Sequence, residues 1–237
     1  MLSDLLNQPF PGFEKKALKF LKALSVSDNN NKKWFDEHRN EYEMYLKLPM
    51  RNLIDTLSSE IRKIDPDIVV NYKSIFRINR DVRFSKDKKP YKTHYAAAFA
   101  FEKVKSSEIP QFYFHFSAEE FIFAAGQYSM DAVYLKKIRR GIYSDFENLK
   151  SIITTKSFLN NFGSVRGESL SKLPKGFENP GQGASDPLLI KLLMMKQFYV
   201  FKEYNPDVIL SEELPDLIVE NIKLSYDFTE YLDKVSK

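Results

Sequence analysis

Residues 111–127, QFYFHFSAEEFIFAAGQ, alternate apolar and polar side chains over two runs joined by a short polar stretch. A period of two puts neighbouring side chains on opposite faces of a strand. Phe112, Phe114 and Phe116 then share one face, and Tyr113, His115 and Ser117 the other. Strands joined by so few residues pair antiparallel, because a parallel pair needs a crossover of a dozen residues or more. The pattern therefore predicts strands over Gln111–Ser117 and Phe121–Gln127. It extends backwards to Thr93–Phe101 and Ser74–Phe84, and Gln197–Tyr204 reads as a further strand. In Ser74–Phe84, Phe76, Ile78, Val82 and Phe84 fall on one face by parity, with Arg77, Asn79, Asp81 and Arg83 opposite. Arg80 alone breaks the apolar side, which suggests a bulge or an edge.

Helical spacing flanks this block on both sides. Phe13, Leu18, Phe20, Leu21 and Leu24 suit a first helix, and the Asn-rich Ser25–Asn31 suits a turn and a cap. A second helix is expected from Lys32 to Lys47, with Trp34, Phe35, His38, Tyr42 and Tyr45 on one face. Pro49 suits the first turn of a third, which Asp65-Pro66 ends. After the strands, helices are expected over Met130–Tyr143 with Ser129 as N-cap, over Asp145–Ile153 and Asp186–Met195, and over Glu212–Lys234. Between them Gly163–Ser185 is Gly-rich and reads as a long loop, a candidate lid.

Helices, then strands, then helices make an α+β protein: an antiparallel meander of four to five strands packed by N-terminal and C-terminal helices. One domain over residues 1–237 is expected, helical over 13–65, sheet over 74–128 and helical again over 129–237. The 20 Phe and 13 Tyr supply an aromatic core.

Composition excludes several chemistries. With no cysteine there is no disulfide, thiolate zinc site or cysteine nucleophile. No apolar run approaches the roughly 18 residues of a membrane span. The N-terminus lacks the basic and apolar regions of a signal peptide, so no membrane role is expected and the cytoplasm is the expected compartment. No GxGxxG, Walker or GxSxG motif occurs, and no cofactor is expected. The three histidines His38, His94 and His115 lie on separate elements without HxH, HExxH or HxxxH spacing, so no metal site is expected.

Charge is uneven. Residues 51–100 carry eleven Lys/Arg against six Asp/Glu, and residues 201–237 carry four against nine. Seven cations against two acids crowd into RINRDVRFSKDKKPYKTH, Arg77–His94. Guanidinium groups bind phosphate and carboxylate in two-pronged fashion. Arg77, Arg80, Arg83, Lys88 and Lys92 are thus candidate ligand-binding residues, with Tyr113 beside them. His115, on the polar face of a central strand, is the candidate general acid or base, with His94 as its companion. Asp81 reads as an ion-pair partner orienting an arginine, and Trp34 as a core residue.

These blocks carry a resemblance. FLKAL…NNNKKWFDEHRNEY, RINRDVRFSKDKKPYKTH, FYFHF, AAGQYSM and KLPKGF together resemble the bacterial family called domain of unknown function 2461, from about Phe20 to Leu232. One departure is GQGASDP after KLPKGF, where the family usually shows a His-Pro-like dipeptide. The resemblance implies no activity. Its motifs concentrate polar residues, which looks more like a site than a core.

Three functions compete. The first is an enzyme or binding protein for a small phosphate- or carboxylate-bearing ligand, clamped by Arg77 and Arg83 with Lys88 and Lys92 nearby. The second is a nucleic-acid module stacking bases on Tyr91, Tyr95 or Tyr113. The third is a structural or partner-binding role in which the basic motif serves the fold. The oligomeric state is left open by the sequence.

Overall fold

The computed structural model describes residues 9–101, 109–177 and 186–237 of the chain. Helix α1 spans Lys15–Ser25 and buries Ala17, Phe20, Leu21 and Leu24, the stripe set by its three- and four-residue spacing. Helix α2, Lys32–Glu37, starts where the Asn31 side chain accepts the Trp34 amide. The expected single helix to Lys47 is interrupted at His38, whose backbone leaves helical geometry. His38 stacks on Trp34 at 4.0 Å and its Nδ1 lies 2.8 Å from the Trp34 carbonyl.

The chain then runs on without a break at Pro49. Helix α3, Arg39–Tyr42, passes through a π-helical turn over Glu43–Lys47 into helix α4, Leu48–Ile64. The predicted boundary at Pro49 is thus absent, and the wide turn is its physical substitute. A proline inside a regular helix collides with the carbonyl four residues back. Here the Leu48 amide reaches five residues back to Glu43, and the widened turn accommodates the ring.

The sheet is open and antiparallel: β1 Tyr95–Ala100, β2 Gln111–Phe116, β3 Phe121–Gln127 and β4 Phe198–Tyr204, in the order β1-β2-β3-β4. The meander and the α+β class are as the alternation predicts. The expected strand over Ser74–Phe84 is not formed. That segment runs antiparallel beside Tyr91–Ala100 but forms only isolated bridges, Ile75 with Ala97 and Asn79 with Tyr91, preceded by one of Val69 with Ala100. Its register shifts by three residues and then back by two between those pairs, so no continuous ladder develops. A 3₁₀ turn at Tyr72–Ser74, capped by Asn71, produces the first shift.

Beyond the sheet lie α5 Ala132–Ser144, α6 Phe146–Ile153, α7 Lys156–Phe162, α8 Pro187–Met194 and α9 Leu214–Ser236. Asp131, not Ser129, caps α5, its carboxylate accepting the Tyr134 amide at 2.7 Å. Helix α7 is not expected from the sequence, since KSFLNNF offers one apolar turn. Of the Gly-rich loop proposed as a lid, residues 178–185 lie outside the described residues. The described part, 163–177, pairs its backbone with β4, the Arg166 and Tyr199 amides and carbonyls bonding reciprocally. Gly167 makes this approach possible, because a Cβ there would collide with the Gln197 carbonyl.

By their internal contacts the residues form two compact units. The first is Met1–Lys105, Tyr113–Phe123 and Glu203–Asn221; the second is Ser106–Phe112, Ala124–Lys202 and Ile222–Lys237. In the first, Phe13 meets Phe116, and Tyr42 meets Tyr95, so the N-terminal helices cover the Phe114 and Phe116 face of the sheet. In the second, Phe158 packs on Phe162 and Phe228. Among the described residues no helix is long and apolar enough to cross a membrane.

Candidate functional site

The basic block divides into a braced loop and a half-buried cluster. The loop leaves and returns through two backbone bonds, Arg80 N–H to the Pro90 carbonyl and Lys92 N–H to the Ile78 carbonyl, both 2.8 Å. Within it Arg80 pairs with Asp87 at 2.6 Å and donates to the Lys89 carbonyl. Arg83 grips Asp81 with two bonds of 3.0 and 2.7 Å. Lys88 donates to the Val82 carbonyl. The Arg83 side chain and then its amide hold the Asp81 carboxyl below the ordinary aspartate range, and the Lys89 amide and then the Arg80 side chain do the same for Asp87. Three of the predicted ligand residues, Arg80, Arg83 and Lys88, thus spend their donors on the loop itself. At the tip Phe84, expected on an apolar strand face, is 95% exposed.

The returning strand is anchored by Asn30, which is 4% exposed. Its side-chain amide accepts the Tyr91 N–H and donates to the Tyr91 carbonyl, both at 3.1 Å, while Phe35 stacks on the Tyr91 ring at 4.1 Å. Tyr91 and Tyr95 are buried and offer no face to a base.

Past this anchor the chain carries Lys92 and His94 onto the outer face of the sheet, opposite the buried Phe114 and Phe116. Tyr113 and His115 of β2 stand on the same face, as parity predicts. The His94 and His115 ring centres are 4.9 Å apart, and Tyr113 meets His115 edge-on at 5.6 Å. Phe76 packs against Tyr113 and carries the Lys92 ammonium 5.1 Å over its ring. Arg77 is exposed, and among the described residues its guanidinium has no hydrogen-bond or ion-pair partner.

Glu120 completes the cluster and is not among the predicted residues. Its Oε1 lies 3.2 Å from His115 Nε2. A sequence signal was available: the two-residue turn Ala118–Glu119, closed by the Ser117 N–H on the Glu120 carbonyl, places 115 and 120 diagonally on one face. Ser117 Oγ accepts the Glu119 and Glu120 amides and fixes the turn.

Burial sets the electrostatics. It pushes His94 down to about 4, helped by His115 and Lys92. Burial also lowers His115, against the opposing pull of Glu120. Tyr113 is pushed up to about 12 by burial and by the Glu120 charge. Lys92 is lowered by burial and then by Arg77. Neutral imidazoles and a weakened ammonium are therefore gathered here, with the Arg77 charge near enough to act on Lys92 and on Asp81. His115 Nδ1 is buried without a hydrogen-bond partner. Among the described residues no group of three or more His, Cys, Asp or Glu is placed to hold a metal ion.

The second unit offers a different environment. A hollow lined by Ile153, Leu159, Val165, Leu188, Leu192 and Met195 is apolar, with Lys191 the one charged residue at its wall. Arg139, 8% exposed, donates to the Met195 carbonyl at the C-terminal end of α8. A cation is stabilised there by the helix dipole.

A family model described as Conserved hypothetical protein (DUF2461) matches residues 16–231. The chain belongs to this family. The match runs from within α1 to within α9 and takes in every residue of the site, from Asn30 to Glu120. No curated protein matches the chain, and no solved structure matches it. The DUF2461 description names no reaction, so the chemistry rests on the residues above.

Proposed function

We propose that this DUF2461 protein binds a small phosphate- or carboxylate-bearing ligand on the outer sheet face, in the cytoplasm, using Arg77 and Lys92 as anchors and His94, Tyr113 and His115 around it. The observation that carries this reading is the pairing of two half-buried histidines beside Lys92, with the Arg77 charge acting on that lysine. Such a group of depressed bases raises its proton affinity when an anion arrives, because the anion offsets both burial and mutual repulsion. Perturbed bases gathered in one half-buried place are also a mark of functional sites. Acid–base chemistry on the ligand falls to His115, oriented by Glu120.

A structural role for the other half of the motif has its own support. Arg80 pairs with Asp87 and Arg83 with Asp81, Lys88 donates to the Val82 carbonyl of the same loop, and Asn30 pins its base. In this reading the loop serves the fold and presents the site. Of the three tyrosines considered for stacking bases, Tyr91 and Tyr95 are buried, and Tyr113 on the outer face is the one left to serve a nucleic-acid reading.

The test is a thermal-shift panel of inorganic phosphate, sulfate, sugar phosphates, nucleotides and small carboxylates. An anion at about 100 times its Kd adds about 2.7 kcal/mol of apparent stability. The shift should vanish in Arg77→Ala and His115→Ala and persist in Arg83→Ala. Absence of any shift across the panel overturns the proposal.

A further inference from the structure

Glu120 and His115 define a direction for protons. A carboxylate has no hydrogen to give, so at 3.2 Å Glu120 is the acceptor and His115 Nε2 carries the proton. A neutral His115 then presents a lone pair at Nδ1. That atom is buried and has no partner. A buried acceptor left unpaired costs about 1–3 kcal/mol, so its persistence invites an explanation.

The neighbouring ring is His94, 4.9 Å between centres and tilted by 47°. No hydrogen bond joins the two rings in this state, and with their centres this close a rotation of the His94 ring is enough to bring one of its nitrogens to hydrogen-bond length of Nδ1. The charged groups around His94 are His115 and Lys92, and those around His115 are Glu120 and His94, with Tyr113 against its edge. Arg77 acts through Lys92. With no anion present, burial, His115 and Lys92 all disfavour a charge on His94. An anion beside Lys92 reverses that balance.

We propose that anion binding draws one proton from solvent onto His94, and that the protonated ring then donates a hydrogen bond to the vacant Nδ1 of His115 in a His94–His115–Glu120 chain. This rests on the anion site of the previous section and adds its regulation. The step makes one N–H bond on His94 and breaks the matching bond of hydronium or a buffer acid, leaving water or the buffer base; no bond in the protein breaks. Glu120 is a positioning residue: it fixes the His115 tautomer and does not meet the anion. A site of this kind holds its anion more tightly as pH falls, and it returns a proton to solvent on release.

Sulfate is the probe, since its own charge is constant over this range. Calorimetry in two buffers of different ionisation enthalpy should give about one proton taken up per sulfate near pH 7. The apparent Kd should then change by up to about tenfold per pH unit, the slope for one linked proton. His94→Gln should bind sulfate with no proton uptake and a flat pH profile. Nitrogen-15 spectra should show His115 unprotonated at Nδ1, and Glu120→Gln should mix the two tautomers without unfolding the protein. Sulfate binding to wild type with no proton uptake overturns the proton linkage and leaves the anion site intact. His115 protonated at Nδ1 at neutral pH also overturns it. No binding of sulfate removes both the site and the linkage.

Discussion

Asn30 and Tyr91 hold each other through both edges of one amide: the Asn30 side chain accepts the Tyr91 N–H and donates to its carbonyl, at 3.1 Å each way. The Asn30 amide also reaches the Leu24 carbonyl at the end of α1. One side chain thus joins the first helix, the cap region and the strand that carries Lys92 and His94. Sixty-one residues of chain are closed by it.

Asn30→Ala leaves the buried Tyr91 N–H and carbonyl unpaired at once. We expect a loss of about 2–4 kcal/mol, from one to two unsatisfied groups. Urea unfolding measures it directly. A loss below about 0.5 kcal/mol would mean that Asn30 does not anchor the strand.

Arg80 and Arg83 should separate in a stability assay although they stand three residues apart. Arg80 is the less exposed and ties Asp87 to the Lys89 carbonyl, whereas Arg83 and Asp81 form a solvent-facing pair. Surface pairs contribute about 0–1 kcal/mol. Arg80→Ala should make the 81–89 loop readily cleaved by protease, and Arg83→Ala should leave cleavage and Tm nearly unchanged. Equal cleavage of the two variants would contradict this division.

Stability should fall as pH drops from about 6.5 to about 4. His94 has its folded value lowered from the ordinary 6.5 to about 4, so the folded state favours the neutral ring. The stabilisation is complete above the unfolded value and is lost as pH falls through the folded one. For His94 it is on the order of 2–3 kcal/mol after allowance for partial exposure. His115 shifts the same way. Urea midpoints at pH 7.5, 5.5 and 4.5 check it: the decline should be shallower in His94→Gln than in wild type. Parallel declines would show that His94 carries no such linkage.

Gly167→Ala places a methyl group against the Gln197 carbonyl, where backbone meets backbone. Overpacking of this kind costs roughly 1–3 kcal/mol. Hydrogen exchange should accelerate at the Arg166 and Tyr199 amides, which bond across the same junction. Unchanged protection of both amides would show that the junction absorbs the methyl.

The sequence shows the outer face of β2 clearly, because Phe112, Phe114 and Phe116 alternate without fault with Tyr113 and His115. It does not show how Ser74–Phe84 would fail as a strand. Alternation records which way side chains point, and it is blind to a register that shifts twice against the neighbouring segment. Nor do side-chain types reveal which cations are already occupied. Arg80 finds its carboxylate seven residues away through the fold of the loop, and among the described residues Arg77 makes no ion pair and acts on Asp81 only at a distance, yet both look alike in the block. Glu120 was within reach of reading, had the tight turn after Ser117 been used to set the pairing of His115.

The wide turn before Pro49 makes two sequence changes depend on each other. Tyr42, Leu46 and Met50 are all buried at successive intervals of four. In a regular helix each such step drifts by about 40° around the axis, and two steps carry the third residue away from the core. The π-helical turn absorbs that drift, in effect housing one residue more than a regular helix would need. Removing one residue from Glu43–Lys47 alone would bring the proline ring against a carbonyl. Replacing Pro49 alone would leave the surplus residue in place. Made together, the two changes restore an ordinary helix with the same buried face, so relatives of this chain should gain or lose them as a pair.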